Sequence, residues 1–165
     1  MLSRKTTLQP GLSGTIQSLQ AMAELVRNSL ADSRVRDQAI ELVRMMTITN
    51  YTEFARAVSD WVRDHYQTIG EPDETLIPPA EQIEKIDRNG TVYADCDDAA
   101  MLVAALCCAV GLPARFRAVF PLAGGGFSHV FVETDVGVGE GKWLALDPTI
   151  DGYPAWAGES FLLEV

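Results

Sequence analysis

The stretch Tyr93-Ala94-Asp95-Cys96-Asp97-Asp98-Ala99-Ala100 opens an apolar run, Met101–Val110, which ends in Gly111-Leu112-Pro113. Short acidic residues are common at the first turn of a helix, and glycine followed by proline is typical of a helix end. The stretch therefore predicts an apolar helix with Cys96 at its start.

The residues after this helix predict an antiparallel sheet. Three segments have the composition of strands, and the last two are joined by glycine-rich residues 136–141: Ala114–Phe120, Ser128–Thr134 and Lys142–Leu146. A simple hairpin centred on Val138 would place His129 opposite Asp147, within hydrogen-bonding reach. The same register pairs Phe131 with Ala145 and Glu133 with Trp143. Gly124-Gly125-Gly126 is expected to form a loop.

The residues before the cysteine predict helices. Apolar residues recur at helical spacing from Thr15 to Ile48, and Ala31-Asp32-Ser33 offers a cap between two helices. Asn50 and Glu53 resemble a capping box for a third helix that extends towards Tyr66, with Gly70-Glu71-Pro72-Asp73 as its break. Pro78-Pro79 predicts a short helix that ends at the turn Asn89-Gly90.

Composition points to one folded domain. The chain has 165 residues, of which 47% are hydrophobic, enough for a substantial core. The net charge of −10 argues against nucleic acid and anionic membranes as partners, because phosphate groups are bound by clustered Lys and Arg.

The N-terminal residues and the cysteines suggest a cytoplasmic protein. Met1-Leu2-Ser3-Arg4-Lys5 is followed by polar residues instead of the apolar segment of a signal peptide, and no apolar run could span a bilayer. The three cysteines, Cys96, Cys107 and Cys108, lie within one short segment, which suits a reducing compartment. We expect Cys107 and Cys108 to be small buried residues.

Cys96, His129 and Asp147 together are the residues of a cysteine-nucleophile hydrolase or acyltransferase. The partial positive charge of a helix N-terminus and a neighbouring imidazolium would both lower the pKa of the Cys96 thiol. His129 would act as base and then as acid, Asp147 would orient it, and the Cys96 N–H would stabilise an oxyanion. Each residue alone has a structural interpretation, and only the combination indicates an enzyme.

The acids around Cys96 oppose this chemistry, because nearby anions disfavour a thiolate. Their simplest role is to cap the helix, although one of them could recognise a cationic group or fix the loop before Cys96. Helical directions place Asp97 and Asp98 away from the face that carries Cys96.

The four blocks around these residues resemble the transglutaminase-like superfamily, and more narrowly its bacterial and phage-associated cysteine peptidase branch. The blocks are Asp95-Cys96-Asp97-Asp98, Val110–Phe116, Ser128–Glu133 and Trp143–Thr149, and the resemblance spans Trp61 to Thr149. It implies a papain-like α+β fold, with the nucleophile at the start of a central helix packed on a small antiparallel sheet. It assigns the nucleophile to Cys96, the base to His129 and the orienting carboxylate to Asp147. Tyr66 is a weak candidate for the oxyanion site.

The chain departs from the family pattern at Ala94, where relatives commonly have glycine, and at Phe131, where many have tryptophan. We expect a single domain over residues 1–165, with a helical part at 1–60 and a catalytic core at 61–165.

The expected activity is hydrolysis of a peptide or isopeptide bond in a peptide or protein substrate through a thioester, with no metal and no cofactor. The alternatives are a transglutaminase or deamidase acting on glutamine, and a papain-like module used for binding or phage assembly. Asp97 and Asp98 are weak candidates for substrate contacts. The sequence gives no oligomeric state.

Overall fold

A computed structural model describes residues 12–45, 50–69, 75–119, 129–151 and 160–165. Helices dominate the first half of the chain, and most of the strands lie in the second half. The helices are α1 Leu12–Ser29, α2 Ser33–Met45, α3 Tyr51–Asp64, α4 Pro79–Asn89 and α5 Cys96–Ala109. The strands are β1 Tyr66–Thr68, β2 Val92–Ala94, β3 Ala114–Val119, β4 His129–Asp135, β5 Trp143–Leu146 and β6 Ser160–Glu164.

Helix α5 forms the centre of the molecule. Its residues from Asp97 to Cys107 are buried, as expected for a helix that is apolar on all sides. The other four helices surround it on one side, and β3 and β4 pack against it on the other. Gly111, with a φ of 86°, ends the helix as the sequence predicts, because its left-handed conformation suits glycine.

Two other helix boundaries confirm predictions made from the sequence. The Asn50 side chain accepts a hydrogen bond of 2.9 Å from the Glu53 backbone N–H at the start of α3. Gly90, with a φ of 77°, terminates α4 after the proline-led start at Pro79. Short local signals therefore placed both ends correctly.

The main sheet has the strand order β5-β4-β3-β6 and is antiparallel throughout. Its inner face packs on α5 through Phe116, Val130 and Val132, all of which are buried. Its outer face carries Arg115, Arg117 and Glu133. The alternation of apolar and polar residues along β3 is the signal that predicted this strand.

The predicted hairpin register between β4 and β5 is wrong by two residues. Glu133 pairs with Ala145 and Asp135 pairs with Trp143, whereas the simple hairpin pairs Glu133 with Trp143. The Asp135 carboxylate causes the shift, because it accepts four backbone N–H bonds from the connecting loop, each 2.8–2.9 Å long. A shift of two keeps every side chain on the predicted face, so His129 and Asp147 still lie on the same side.

Tyr66 lies outside α3, contrary to the prediction of a helix that extends to it. It begins β1, which pairs in parallel with β2, so that Tyr66 lies opposite Val92. Neither β1 nor β2 was predicted, and β6 was not predicted either. The parallel pair leads directly into Asp95 and Cys96, so Tyr66 lies beside the chain that enters α5.

Several predicted features lie outside the described residues. These are the loop Gly124–Gly126, the first residue of the predicted strand at Ser128, and the break at Gly70–Asp73. Within the described ranges, no helix has the length and apolar character needed to cross a membrane.

Candidate active site

Cys96 occupies the first helical position of α5. Asp95 precedes it as the N-cap, and its carboxylate accepts hydrogen bonds from the backbone N–H groups of Asp97 (3.0 Å) and Asp98 (3.2 Å). This confirms the capping role expected for one of the acids. The cap fixes the direction of the first turn, and therefore the position from which the thiol projects.

The Cys96 thiol has an unfavourable environment for a thiolate. Its Sγ lies 3.4 Å from Asp97 Oδ1, and it also receives a hydrogen bond from the Val130 backbone. Burial raises the pKa of the Cys96 thiol strongly, and the negative charges of Asp97 and Asp95 raise it further, outweighing the Val130 contact. The resting thiol is therefore protonated at neutral pH.

Two expectations about Cys96 are thus wrong. The pKa of the thiol is raised and not lowered, because burial and adjacent carboxylates outweigh the favourable end of the helix. Asp97 does not point away from Cys96, since its carboxylate meets the thiol. It is buried with an exposed fraction of 4%.

His129 and Asp147 form a hydrogen-bonded pair. His129 begins β4, Asp147 directly follows β5, and the imidazole Nε2 is bonded to Asp147 Oδ2. The other carboxylate oxygen accepts bonds from the Thr149 backbone N–H (3.0 Å) and from Thr149 Oγ1 (2.6 Å). Burial by itself would raise the pKa of Asp147, but the His129 and Thr149 hydrogen bonds hold it below its usual value.

The start of β4 links this pair to the thiol. Val130, the residue after His129, supplies the backbone group that contacts Cys96 Sγ. Because Nε2 is engaged by Asp147, Nδ1 is the imidazole nitrogen left to exchange a proton with a substrate or thiol. Within the part of the chain that the structure describes, no hydrogen bond joins His129 to Cys96 directly.

Tyr66 brings a hydroxyl to the same region. The hydroxyl is buried and has no hydrogen-bond partner among the described residues. Burial raises the pKa of Tyr66, and the charges of Asp95, Asp98 and Cys96 act in the same direction. The phenol is therefore a neutral donor near the start of α5.

Asp98 contacts a different part of the chain from Asp97. Its Oδ1 accepts a hydrogen bond of 2.7 Å from the Ile77 backbone N–H, and it is completely buried. Gln82 of α4 is also completely buried, and its amide donates to the Ile77 carbonyl (2.8 Å) and to the Asp98 carbonyl (2.9 Å). Sequence reasoning missed Gln82, although a polar residue beside Ile83 on the apolar face of a helix is a usable signal.

The described residues contain no group of three or more His, Cys, Asp or Glu side chains arranged to hold a metal ion. The second histidine, His65, follows α3 and forms a hydrogen bond through Nδ1 with the Trp61 carbonyl at 2.8 Å. Cys107 is buried and Cys108 is half-buried, and both are free thiols.

Comparisons with known proteins identify the family and the fold. The model of the transglutaminase-like superfamily matches residues 40–148, which is most of the chain and includes all three residues of the proposed triad. No curated protein matches the sequence significantly.

Two solved structures share the fold. A candidate cysteine protease from Cytophaga hutchinsonii has a TM-score of 0.53 and 24% identity over 71% of this chain. A candidate protease from Parabacteroides distasonis ATCC 8503 has a TM-score of 0.53 and 19% identity over 89% of this chain. The chain spans only 37% and 29% of the lengths of those two proteins. These likenesses establish a shared fold.

Proposed function

The chain belongs to the transglutaminase-like superfamily, and we propose that it is a cysteine hydrolase that cleaves an amide bond through a thioester. The observation that carries the proposal is the contact between the Cys96 thiol and the start of β4, next to a histidine that is hydrogen-bonded to Asp147. Cys96 begins α5, the Val130 backbone contacts its sulfur, and the adjacent His129 is oriented by Asp147.

In the proposed reaction, His129 acts as a general base at Nδ1. It takes the thiol proton as Cys96 Sγ attacks the carbonyl carbon of the scissile amide, so the C–S bond forms while the carbonyl oxygen becomes an oxyanion. The imidazolium then gives this proton to the leaving nitrogen, and the C–N bond breaks. Water attacks the thioester in the same way, which releases the acid and restores the thiol.

The raised pKa of Cys96 supports one of two forms of this mechanism. A resting thiolate–imidazolium pair would need a thiol whose pKa is low, whereas burial and Asp97 keep this thiol protonated. We therefore assign proton transfer to the attack step itself. Asp147 stabilises the imidazolium that forms and holds Nε2, which keeps Nδ1 free for the transfer.

Two groups are suited to stabilise the oxyanion. The Cys96 backbone N–H belongs to the first turn of α5, where N–H groups have no acceptor within the helix. The Tyr66 hydroxyl is a neutral buried donor without a partner among the described residues. We propose the N–H as the main donor and Tyr66 as the second.

The proposed substrate is a peptide or protein, cleaved at a peptide or isopeptide bond. Both fold neighbours are described as candidate proteases, which supports this choice. Hydrolysis transfers the acyl group to water, whereas transamidation transfers it from a glutamine side chain to an amine. The same catalytic residues would serve both reactions. No cofactor takes part in the proposed steps.

The test is to trap the acyl-enzyme. The purified chain is incubated with a peptide mixture and hydroxylamine, and mass spectrometry is used to find hydroxamate products and cleaved peptides. We expect turnover by the native chain and none by Cys96→Ala or His129→Ala. Cys107→Ala, which alters a buried thiol in the same helix, is the matched control and should retain turnover.

If a biotin-labelled primary amine is incorporated into glutamine residues without peptide cleavage, the activity is transamidation and not hydrolysis. A chain that forms no thioester with any substrate, and whose Cys96→Ala variant behaves like the native chain, would contradict the enzymatic proposal.

A further inference from the structure

Asp98 differs from the buried carboxylates Asp147 and Glu133 in its surroundings. The Asp147 carboxylate meets an imidazole and both donors of Thr149, and Glu133 meets two guanidinium groups at 2.7 Å each. Asp98 is completely buried, and the donors that act on its carboxylate are neutral backbone N–H groups, that of Ile77 at 2.7 Å and that of Asp95. A buried carboxylate without a cation or several donors is costly in its charged form.

The second oxygen of Asp98 also indicates that the charged form of this carboxyl group is unfavourable. Asp98 Oδ2 is buried and has no hydrogen-bond partner among the described residues. Gln82 Oε1 is also buried and without a partner, although its amide nitrogen makes two hydrogen bonds in the same cluster. If Asp98 is ionised, these two oxygens are both acceptors, and neither has a donor among the described residues. A proton on Oδ2 supplies the missing donor.

The charged neighbours of Asp98 also oppose its ionisation. Asp95 and Asp97 flank it in the first turn of α5, and among the described residues of other elements the groups near it include Tyr66 and Gln82, neither of which is a cation. In agreement with this geometry, burial raises the pKa of Asp98 to about 8, with the charges of Asp95 and Asp97 acting in the same direction.

We propose that Asp98 is a neutral, protonated positioning residue that holds residues 75–78 against the start of α5 without adding a third negative charge beside Cys96. Both backbone polar groups of Ile77 are engaged in this contact, its N–H by Asp98 and its carbonyl by Gln82. The contact fixes α4 and α5 relative to each other. Its value for catalysis rests on the proposed role of Cys96 as nucleophile.

The proton is tested directly by labelling aspartate with ¹³C at the side-chain carboxyl in the native chain and following the NMR signals with pH. We expect one carboxyl to stay protonated at about pH 6, well above the ordinary value of about 3.9, and to titrate near 8. Asp98→Asn should remove that signal and so assign it. A native chain with every aspartate ionised at about pH 6 would overturn the proposal, and this result requires no variant.

The positioning role is tested by comparing Asp98→Asn with Asp98→Ala. Asparagine keeps an acceptor for the Ile77 N–H and a donor at the second position, whereas alanine keeps neither. We expect Asp98→Ala to reduce the kcat of peptide cleavage by tenfold or more with a smaller change in KM. Asp98→Asn should keep most of the native kcat. Equal losses in both variants would refute a role that depends on the neutral carboxyl group.

A third readout concerns the thiol. As Asp98 ionises, its charge disfavours the Cys96 thiolate, so the ratio of alkylation rates between Asp98→Asn and the native chain should grow several-fold between about pH 6 and about pH 9. A ratio that stays constant contradicts the proposal, and Glu24→Gln, at an exposed acid on α1, is the control. The NMR titration reports on Asp98 even if no substrate is cleaved, so it separates failure of this proposal from failure of the proposed function.

Discussion

Replacing Asp97 by asparagine should make Cys96 more reactive. Asparagine keeps an oxygen that can accept from the thiol but removes the negative charge that lies 3.4 Å from Sγ. That charge is one of the causes of the raised pKa of Cys96, second only to burial. The substitution therefore isolates the electrostatic part of the shift from the part caused by burial.

The expected size follows from the distance. Two unit charges 3.4 Å apart repel by about 1 kcal/mol in a water-like medium and by about 5 kcal/mol at the effective dielectric constant of a protein surface. Cys96 is half-buried and screened by solvent, so we take the lower part of this range. A decrease of roughly 1 to 2 units in the thiol pKa is then expected.

The alkylation rate should change less than the pKa. A thiolate of lower pKa is also a weaker nucleophile, which offsets about half of the gain in its population. We therefore expect the second-order rate constant with iodoacetamide at about pH 7 to rise roughly three- to tenfold.

The assay is alkylation followed by tandem mass spectrometry, which must localise the label because no lysine or arginine separates Cys96 from Cys107 and Cys108. The control is Glu24→Gln, which changes the net charge equally at an exposed position on α1 and should leave the rate unchanged. An Asp97→Asn rate equal to that of the control would refute the electrostatic argument. Burial would then account for the protonated thiol.

Three further predictions concern carboxylates elsewhere in the structure. Asp147→Asn should lower the free energy of unfolding at neutral pH by about 1–3 kcal/mol. Because folding lowers the pKa of Asp147, the difference in unfolding free energy between the native chain and the variant should shrink below about pH 4, and denaturant titrations measure this difference. Glu133→Gln should cost about 1–3 kcal/mol by leaving two half-buried arginines without a counter-charge, whereas Glu164→Gln on the exposed edge of β6 should not lower the melting temperature measurably. Asp135→Ala should speed amide hydrogen exchange in the loop between β4 and β5, and unchanged exchange would contradict its role as the acceptor for the N–H groups of Gly137, Gly139, Gly141 and Lys142.

The central helix and the proximity of His129 to Asp147 could be predicted because their signals are local. A polar cap, an apolar run and a terminal glycine specify α5 within a single segment. The alternation of side chains in β4 and β5 places His129 and Asp147 on one face in any register that differs by an even number of residues. The predicted proximity of His129 to Asp147 is therefore correct, although the predicted hairpin register is wrong by two residues.

Other features depend on contacts between distant residues. The register of β4 and β5 is set by the Asp135 carboxylate, which accepts hydrogen bonds from the loop N–H groups. In the same loop, Val138 has a φ of 53°. The pairing of Tyr66 with Val92 and the contact of Asp98 with Ile77 join segments about 20 residues or more apart. No periodicity within one segment encodes such partners, so Tyr66 was assigned to a helix.

The electrostatics of Cys96 show why residue types alone were insufficient at this site. A cysteine at a helix start beside a histidine predicts a lowered pKa, and that argument holds where the thiol is exposed and its neighbours are cationic. Here the thiol is half-buried and its nearest charge is Asp97, so the same position favours the protonated form. A nucleophile of this kind needs its base at the moment of attack, which gives the hydrogen bond between His129 and Asp147 a direct part in the proposed reaction. It also follows that the charge state of Asp98 matters, since a third carboxylate in the first turn of α5 would raise the barrier to forming the thiolate further.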